Sequence, residues 1–260
     1  MLIGHVEKRI YDIRKEHPLV IPQIDPDKFS EEKFAGILKS MREMGVQHIA
    51  IGGTIVDVMA MQRFLDVAVK DFDFTVALYL TNNGIGHIRG VKGKAAVYWM
   101  TTLNSDNLFY LRDMLIMTAL HIRRNELEPI PTTYVFDDRH SGSSANWLTR
   151  PTLVPRENPD ISLSLALTAQ YSGSRFYIMG GGSNSKLPPP LDHVEAVSKN
   201  TSMFLIPTSG IVNPKHVDEL FKAGADAVHV GAAMEKENGV EILKKMIKVS
   251  EKYPGKTFHW

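Results

Sequence analysis

The sequence predicts a closed (β/α)8 barrel of the phosphate-binding type, and three observations carry that prediction. Short apolar runs alternate with helix-periodic segments along the chain. The length of 260 residues is close to the ~250 typical of one such barrel. The last two strand-like runs, residues 203–206 and Ala227–Val230, are each followed by small residues. These are Thr208-Ser209-Gly210-Ile211-Val212-Asn213-Pro214 and Gly231-Ala232-Ala233, placed where barrels of this type hold a phosphate. Asn213 is suited to cap a helix and Pro214 to open it, so the backbone N–H groups there would face an anion. Two ordinary tight βα turns are the alternative reading of these loops.

The elements follow in order. Leu19–Ile24 is an apolar run ending at Asp25. Ser30 caps a helix whose Phe34, Ile37, Leu38 and Met41 recur at helical spacing, closed by Gly45. His48–Ile51 leads into Gly52-Gly53-Thr54 and a helix carrying Val58, Met61, Leu65 and Val69. Residues 74–80 form the third strand, before Thr81-Asn82-Asn83-Gly84, and residues 95–100 the fourth. The helix over 108–120 is apolar on more than one face, which predicts cover by another subunit or by a thick helix layer. Residues 132–136 are the fifth strand. The connection 137–160 is long, and Pro151, Pro155 and Pro159 keep much of it non-helical. A helix over 161–171, a strand over 175–179 and a helix over 191–198 come next. The seventh unit buries Val217, Leu220 and Phe221 and ends at Gly224; the eighth carries Ile242, Leu243, Met246 and Ile247. The stretches 45–52 and 224–231 echo each other as helix end, strand and glycine, as a repeated unit should. One domain over residues 1–260 follows, with an open doubly wound sheet as the alternative.

Composition narrows the function. Hydrophobic content of 43%, charged content of 23% and a net charge of +1 describe an ordinary globular protein with no electrostatic footprint for nucleic acid. The absence of cysteine removes disulfides, thiolate nucleophiles and cysteine metal sites. No apolar run of about 18 residues exists to span a membrane. The N-terminus lacks a basic-then-apolar leader pattern, so a cytoplasmic protein is expected.

In a barrel, chemistry sits where strands end. Asp25 and Thr54 end adjacent strands, and a carboxylate with a hydroxyl suits Mg²⁺, although Asp25-Pro26-Asp27 also reads as turn chemistry. Lys28, beside two aspartates, is expected to keep its charge. Gly180-Gly181-Gly182-Ser183 would wrap a polar ligand or form a flexible loop. Tyr79, Tyr98, Trp99, Tyr134 and Phe136 would line an apolar trough or pack the core. Asp137-Asp138 reads as an exposed acidic pair, and His48, His193, His216 and His229 as structural.

Together these residues resemble the geranylgeranylglyceryl phosphate synthases of archaea and their bacterial heptaprenylglyceryl relatives. The resemblance rests on Ile24-Asp25-Pro26-Asp27-Lys28, Ile51-Gly52-Gly53-Thr54, Leu103-Asn104-Ser105-Asp106-Asn107, Leu153-Val154-Pro155-Arg156, Phe176-Tyr177, Gly210-Ile211 and Ala223-Gly224-Ala225-Asp226 leading to Val230-Gly231. It implies a TIM barrel that joins sn-glycerol 1-phosphate to geranylgeranyl diphosphate, with Mg²⁺ on Asp25 and Thr54. It places glycerol phosphate on Tyr177, on Thr208, Ser209, Gly210 and Ile211, and on Gly231 and Ala232, and the glycine run Gly180, Gly181, Gly182 and Ser183 is read as binding the same ligand. The resemblance lays the prenyl tail across the barrel top, where the strand aromatics Tyr79, Trp99 and Tyr134 are expected to line the groove. It also implies a homo-oligomer, a hexamer before a dimer, with Trp147 at a subunit contact, and transient membrane contact through the lipid substrate. The chain departs from the family at Met179, where a glutamate that binds the glycerol hydroxyls is usual, at Thr208-Ser209 in a glycine turn, and at Ala232 in place of asparagine. Two rival functions stay open: a phosphate-binding isomerase or aldolase, and a catalytically impaired ligand-binding relative.

Overall fold

Eight parallel strands form one sheet, the first to the seventh side by side in chain order and the eighth beside the first. The computed structural model describes residues 3–79 and 81–259, with only the backbone of Asn83. Met1, Leu2, Trp260 and Leu80, the expected end of the third strand, lie outside them. The strands are β1 (Leu19–Ile24), β2 (His48–Ile51), β3 (Thr75–Tyr79), β4 (Ala95–Thr102), β5 (Glu128–Phe136), β6 (Phe176–Gly180), β7 (Phe204–Pro207) and β8 (Ala227–Val230). The sheet curls until β1 pairs with β8, Leu19 facing Ala227 and Pro22 facing Val230. Between β7 and β8 closure takes a different form. Asp226 donates its N–H to the Leu205 carbonyl at 3.0 Å and accepts the Leu205 N–H on its carboxylate at 3.0 Å. Thr208 and His229 then bridge the upper end.

Both faces of every strand are buried, which is why the strands read as continuous apolar runs. Alternate residues fill two separate cores. Ile21, Ala50, Ala77, Tyr98, Ile130, Phe176, Ile178, Phe204 and Ala227 pack inside the barrel. Ile49, Ile51, Val76, Val97, Val135, Tyr177, Met179, Leu205, Val228 and Val230 face the surrounding helices. Gly45 and Gly224, the echoed helix ends, both adopt positive φ (81° and 97°), the left-handed turn that ends a helix.

The helices are α1 (His5–Arg14), α2 (Glu31–Glu43), α3 (Val58–Asp66), α4 (Met114–Arg124), α5 (Ser144–Thr149), α6 (Pro159–Tyr171), α7 (Leu191–Asn200), α8 (Pro214–Lys222) and α9 (Gly239–Ser250). Three differ from expectation. Helix α1 has too few apolar residues to show periodicity, yet it seats Val6, Ile10 and Tyr11 in the lower barrel. Its Gly4 cap has no side chain, so the Glu128 carboxylate accepts the Val6 and Glu7 N–H groups at 2.9 and 2.8 Å. Between β3 and β4 the helix of a regular strand–helix unit is replaced by a 3₁₀ turn, Asn83–His87, in a stretch broken by Gly84, Gly86, Gly90 and Gly93. The long 137–160 connection holds α5, capped by Ser143. Helix α4 buries Met114, Thr118 and Ile122, while Ile116, Met117 and Leu120, with Leu108 ahead of the helix, stand exposed, so the chain covers one of its two apolar faces.

Candidate active site

A cleft of about 1120 Å³, its open mouth included, lies over the C-terminal strand ends. At one side is Asp25, directly after β1. Its Oδ1 accepts the Asp27 N–H at 3.2 Å, which caps the short turn Pro26–Lys28. A Cβ on Gly53 would lie 2.7 Å from that same oxygen, so only glycine lets the β2 loop approach the carboxylate. Thr54 follows on the cleft wall, and the loop is tied by Thr81 Oγ1 donating to the Gly53 carbonyl at 2.8 Å. Burial raises the Asp25 pKa above the ordinary carboxylate value. Lys28 pairs with Glu235 at 2.6 Å. Among the described residues no three histidines, aspartates or glutamates cluster as a metal site. One desolvated carboxylate with an adjacent hydroxyl nevertheless fits Mg²⁺, which takes few protein oxygens and completes its shell with water and phosphate.

At the other side Thr208, Ser209, Gly210 and Ile211 line the cleft, with Gly182, Ser183, Asn184, Gly231 and Ala232. Ser209 and Gly210 both have φ of 67°, and a Cβ on Gly210 would lie 2.2 Å from the Leu187 carbonyl oxygen. Asn213 caps α8 by accepting the His216 N–H at 3.0 Å, and His216 in turn reaches the Gly210 carbonyl through Nδ1 at 3.1 Å. Arg139 lies beneath this loop, with no exposed surface. Its guanidinium holds Asp137 through Nε and Nη2 and donates from Nη1 to the carbonyls of Thr208 and Ser209. Asp137 is thus buried and paired, which corrects the expectation of an exposed acidic pair; Asp138 alone is partly exposed.

Strand alternation decides which of the remaining candidates reach the cleft. Phe176, Ile178 and Gly180 face into the barrel, so Tyr177 and Met179 face the helices. Tyr177 is fully buried, its hydroxyl donating to the Ser162 carbonyl at 3.4 Å, and the structure does not bring it to the cleft. Trp99, one residue from the inward Tyr98, likewise packs on the helix side. Gly180 and Gly181 lie below the cleft wall. A Cβ on Gly180 would meet the Tyr134 hydroxyl at 1.9 Å, and one on Gly181 the Arg139 side chain at 2.7 Å. Their lack of side chains makes room for those two residues.

Tyr79 and Tyr134 do line the cleft, with Met100, Tyr110, Phe136 and Ala145 completing an apolar wall. Sequence reasoning missed Met100 as a site residue; the period-2 spacing that places it with Thr102 on the face of Tyr98 finds it only once Tyr98 is known to turn inward. Tyr110 lies in a π turn, Phe109–Asp113, whose Leu111 carbonyl accepts the Thr101 hydroxyl at 2.8 Å. No sequence pattern predicted Gln23, Glu235 or His229 on the cleft floor and rim.

The fold and site define a closed parallel barrel with a cleft at its strand C-termini, an anion-suited loop at one side and a buried carboxylate at the other. Residues 11–250 match the PcrB family, and the chain belongs to that family. It is 31% identical over 252 residues to the geranylgeranylglyceryl phosphate synthase of Pyrococcus furiosus, covering 95% of this chain and 96% of that one. The synthase of Metallosphaera sedula is also 31% identical, over 242 residues, covering 91% and 93%. Among solved structures, (S)-3-O-geranylgeranylglyceryl phosphate synthase from Thermoplasma acidophilum in complex with sn-glycerol-1-phosphate superposes with a TM-score of 0.85 at 24% identity, covering 96% of this chain and all of that one. At that identity the superposition speaks for the fold.

Proposed function

We propose that this chain transfers a geranylgeranyl group from its diphosphate to the primary hydroxyl of sn-glycerol 1-phosphate, forming an ether and releasing diphosphate. The observation that carries the reading is one cleft with two polar ends and an apolar wall. Near-full-length similarity to named synthases supports it. Asp25 and Thr54 would hold Mg²⁺, which when bound neutralises charge on the leaving diphosphate. Thr208, Ser209, Gly210 and Gly231 bind the glycerol phosphate and fix its primary hydroxyl toward the donor. Met100, Tyr134 and Phe136 seat the prenyl chain and keep water from the allylic carbon. The donor C1–O bond breaks with its electron pair going to diphosphate. The glycerol oxygen bonds to C1, and its proton passes to the departing diphosphate. No strong side-chain base is required.

The test is ether-lipid formation from labelled glycerol 1-phosphate, geranylgeranyl diphosphate and Mg²⁺, with and without EDTA. Product that disappears with EDTA is expected. Asp25→Asn should cut turnover at least ~100-fold with the fold intact, and Gly53→Ala, which crowds the same carboxylate, should raise the Mg²⁺ needed. Near-normal activity in Asp25→Asn overturns the metal assignment.

The same proposal includes a homo-oligomer, a hexamer before a dimer. Ile116 at 67%, Leu120 at 62% and Trp147 at 77% exposure support it. Ile116→Glu should reduce the sedimenting mass, and a monomeric wild type overturns this part. No described helix is long and apolar enough to cross a membrane. Work in the cytoplasm, with transient membrane contact through the lipid donor, completes the reading.

A further inference from the structure

Under the Thr208-Ser209-Gly210 loop, the barrel interior holds a hydrogen-bonded chain that the prenyl-transfer reading does not use. His229, on β8, is 1% exposed and stands between two tyrosines. Its Nδ1 lies 2.5 Å from the Tyr79 hydroxyl and its Nε2 3.1 Å from the Tyr98 hydroxyl. Residues Thr208 and His229 are bridged across the β7–β8 seam, which places this chain directly below the loop. Tyr79 and His229 both line the cleft, whereas Tyr98 is sealed from it.

The protons in this chain can be assigned by counting. A neutral imidazole has one N–H and one lone pair. Burial, with neighbouring His48, holds His229 down to about 3, so it is neutral at working pH. The Tyr98 hydroxyl is completely buried, and His229 is its hydrogen-bond partner. If Nε2 carried the hydrogen, the Tyr98 proton would be left buried without an acceptor, at a cost of ~1–3 kcal/mol. Tyr98 therefore donates to Nε2, and the imidazole hydrogen sits on Nδ1. That hydrogen is donated to the Tyr79 oxygen. The Tyr79 proton, with its oxygen already accepting from the ring, is directed away from His229 toward the cleft that Tyr79 and Thr208 both line.

We infer that Tyr79 is a phosphate-binding residue of this cleft, its hydroxyl proton turned toward the ligand by His229 and Tyr98. A floor that offers donors fits an acceptor-only group, and a phosphate oxyanion is that group. The inference rests on the glycerol 1-phosphate reading above and reassigns Tyr79 from the prenyl wall to the polar end. His229 and Tyr98 are positioning residues, acting through Tyr79. A phenylalanine or aliphatic residue at position 229 would leave Tyr79 free to turn its proton inward.

Two measurements test it. Calorimetric titration with inorganic phosphate and with sn-glycerol 1-phosphate should show both binding about tenfold more weakly to Tyr79→Phe than to wild type, the loss expected for one hydrogen bond to a charged group. The thermal midpoint of the variant serves as the folding control. Binding within twofold of wild type overturns the inference and leaves the prenyl-transfer reading standing. Failure of folded wild type to bind either ligand overturns both. On the wild-type protein itself, long-range ¹H–¹⁵N correlation spectra report which His229 nitrogen is protonated. Nδ1 protonation is expected, and an Nε2–H tautomer refutes the proton assignment even if Tyr79→Phe does not fold.

Discussion

Replacing Arg139 by methionine should separate the support of the anion loop from the loop itself. The side chain is completely buried, and one guanidinium joins three strand ends. It binds Asp137 after β5, the Met179 carbonyl of β6 at 3.3 Å, and the Thr208 and Ser209 carbonyls after β7. Methionine keeps most of the volume and removes every donor. Asp137, 1% exposed, is then left without its counter-charge. Breaking one partner out of a buried pair costs about 3–5 kcal/mol. At ~2 °C per kcal/mol for a chain of this size, the thermal midpoint should fall by roughly 6–10 °C. Urea denaturation of Arg139→Met, Asp137→Asn and the double variant reads the pair as a cycle. The double variant should be more stable than Arg139→Met but should not return to wild type, since the stranded charge is gone while the three carbonyl contacts, ~1 kcal/mol each, stay broken. A single variant costing under ~1 kcal/mol, or a double variant as unstable as the sum of the singles, would refute this account.

Gly180→Ala should destabilise by ~1–3 kcal/mol, because the new methyl occupies the place of the Tyr134 hydroxyl, and Tyr134→Phe should return part of that in the same denaturation assay. Acid should weaken the fold through His48 and His229, both held down to about 3 by burial. A histidine depressed in the fold contributes stability that is full above the unfolded value of about 6.5 and is lost as pH falls from there toward 3. The loss is on the order of 1 kcal/mol per pH unit for each ring. Urea midpoints from pH 7 to 4.5 should show it, and His48→Leu, which also removes the buried unpaired His48 Nε2, should flatten the slope by about one proton. An unchanged slope would count against the burial of that ring.

The two polar ends of the cleft were legible because each is a local pattern. Asp25 and Thr54 sit directly after apolar runs, and Thr208-Ser209-Gly210 with Asn213-Pro214 carries loop and cap chemistry within seven residues. Tyr177 and Trp99 were misplaced for a common reason. When both faces of a parallel strand are apolar, sequence gives the strand but not which of two neighbouring residues turns inward. Phe176 and Tyr98 take the interior, and their neighbours face the helices. Met179 follows the same alternation, so the position where the resemblance implies a glutamate lies on the helix side in this chain.

By itself the sequence determined a barrel of eight strands, the order of its helices apart from α1, α5 and the β3–β4 turn, and the strand ends that carry Asp25 and the anion loop. Periodicity and turn chemistry act over a few residues, and one dimension records them. Tertiary structure alone decided the pairing of Arg139 with the Thr208 carbonyl across 69 residues and of Tyr79 with His229 across 150. It also decided that α1 should close the barrel floor through Glu7 and Arg175, 168 residues apart. These are contacts between buried polar groups, and each exists only because closure of the sheet brings distant strand ends into one desolvated space where an unpaired group is costly.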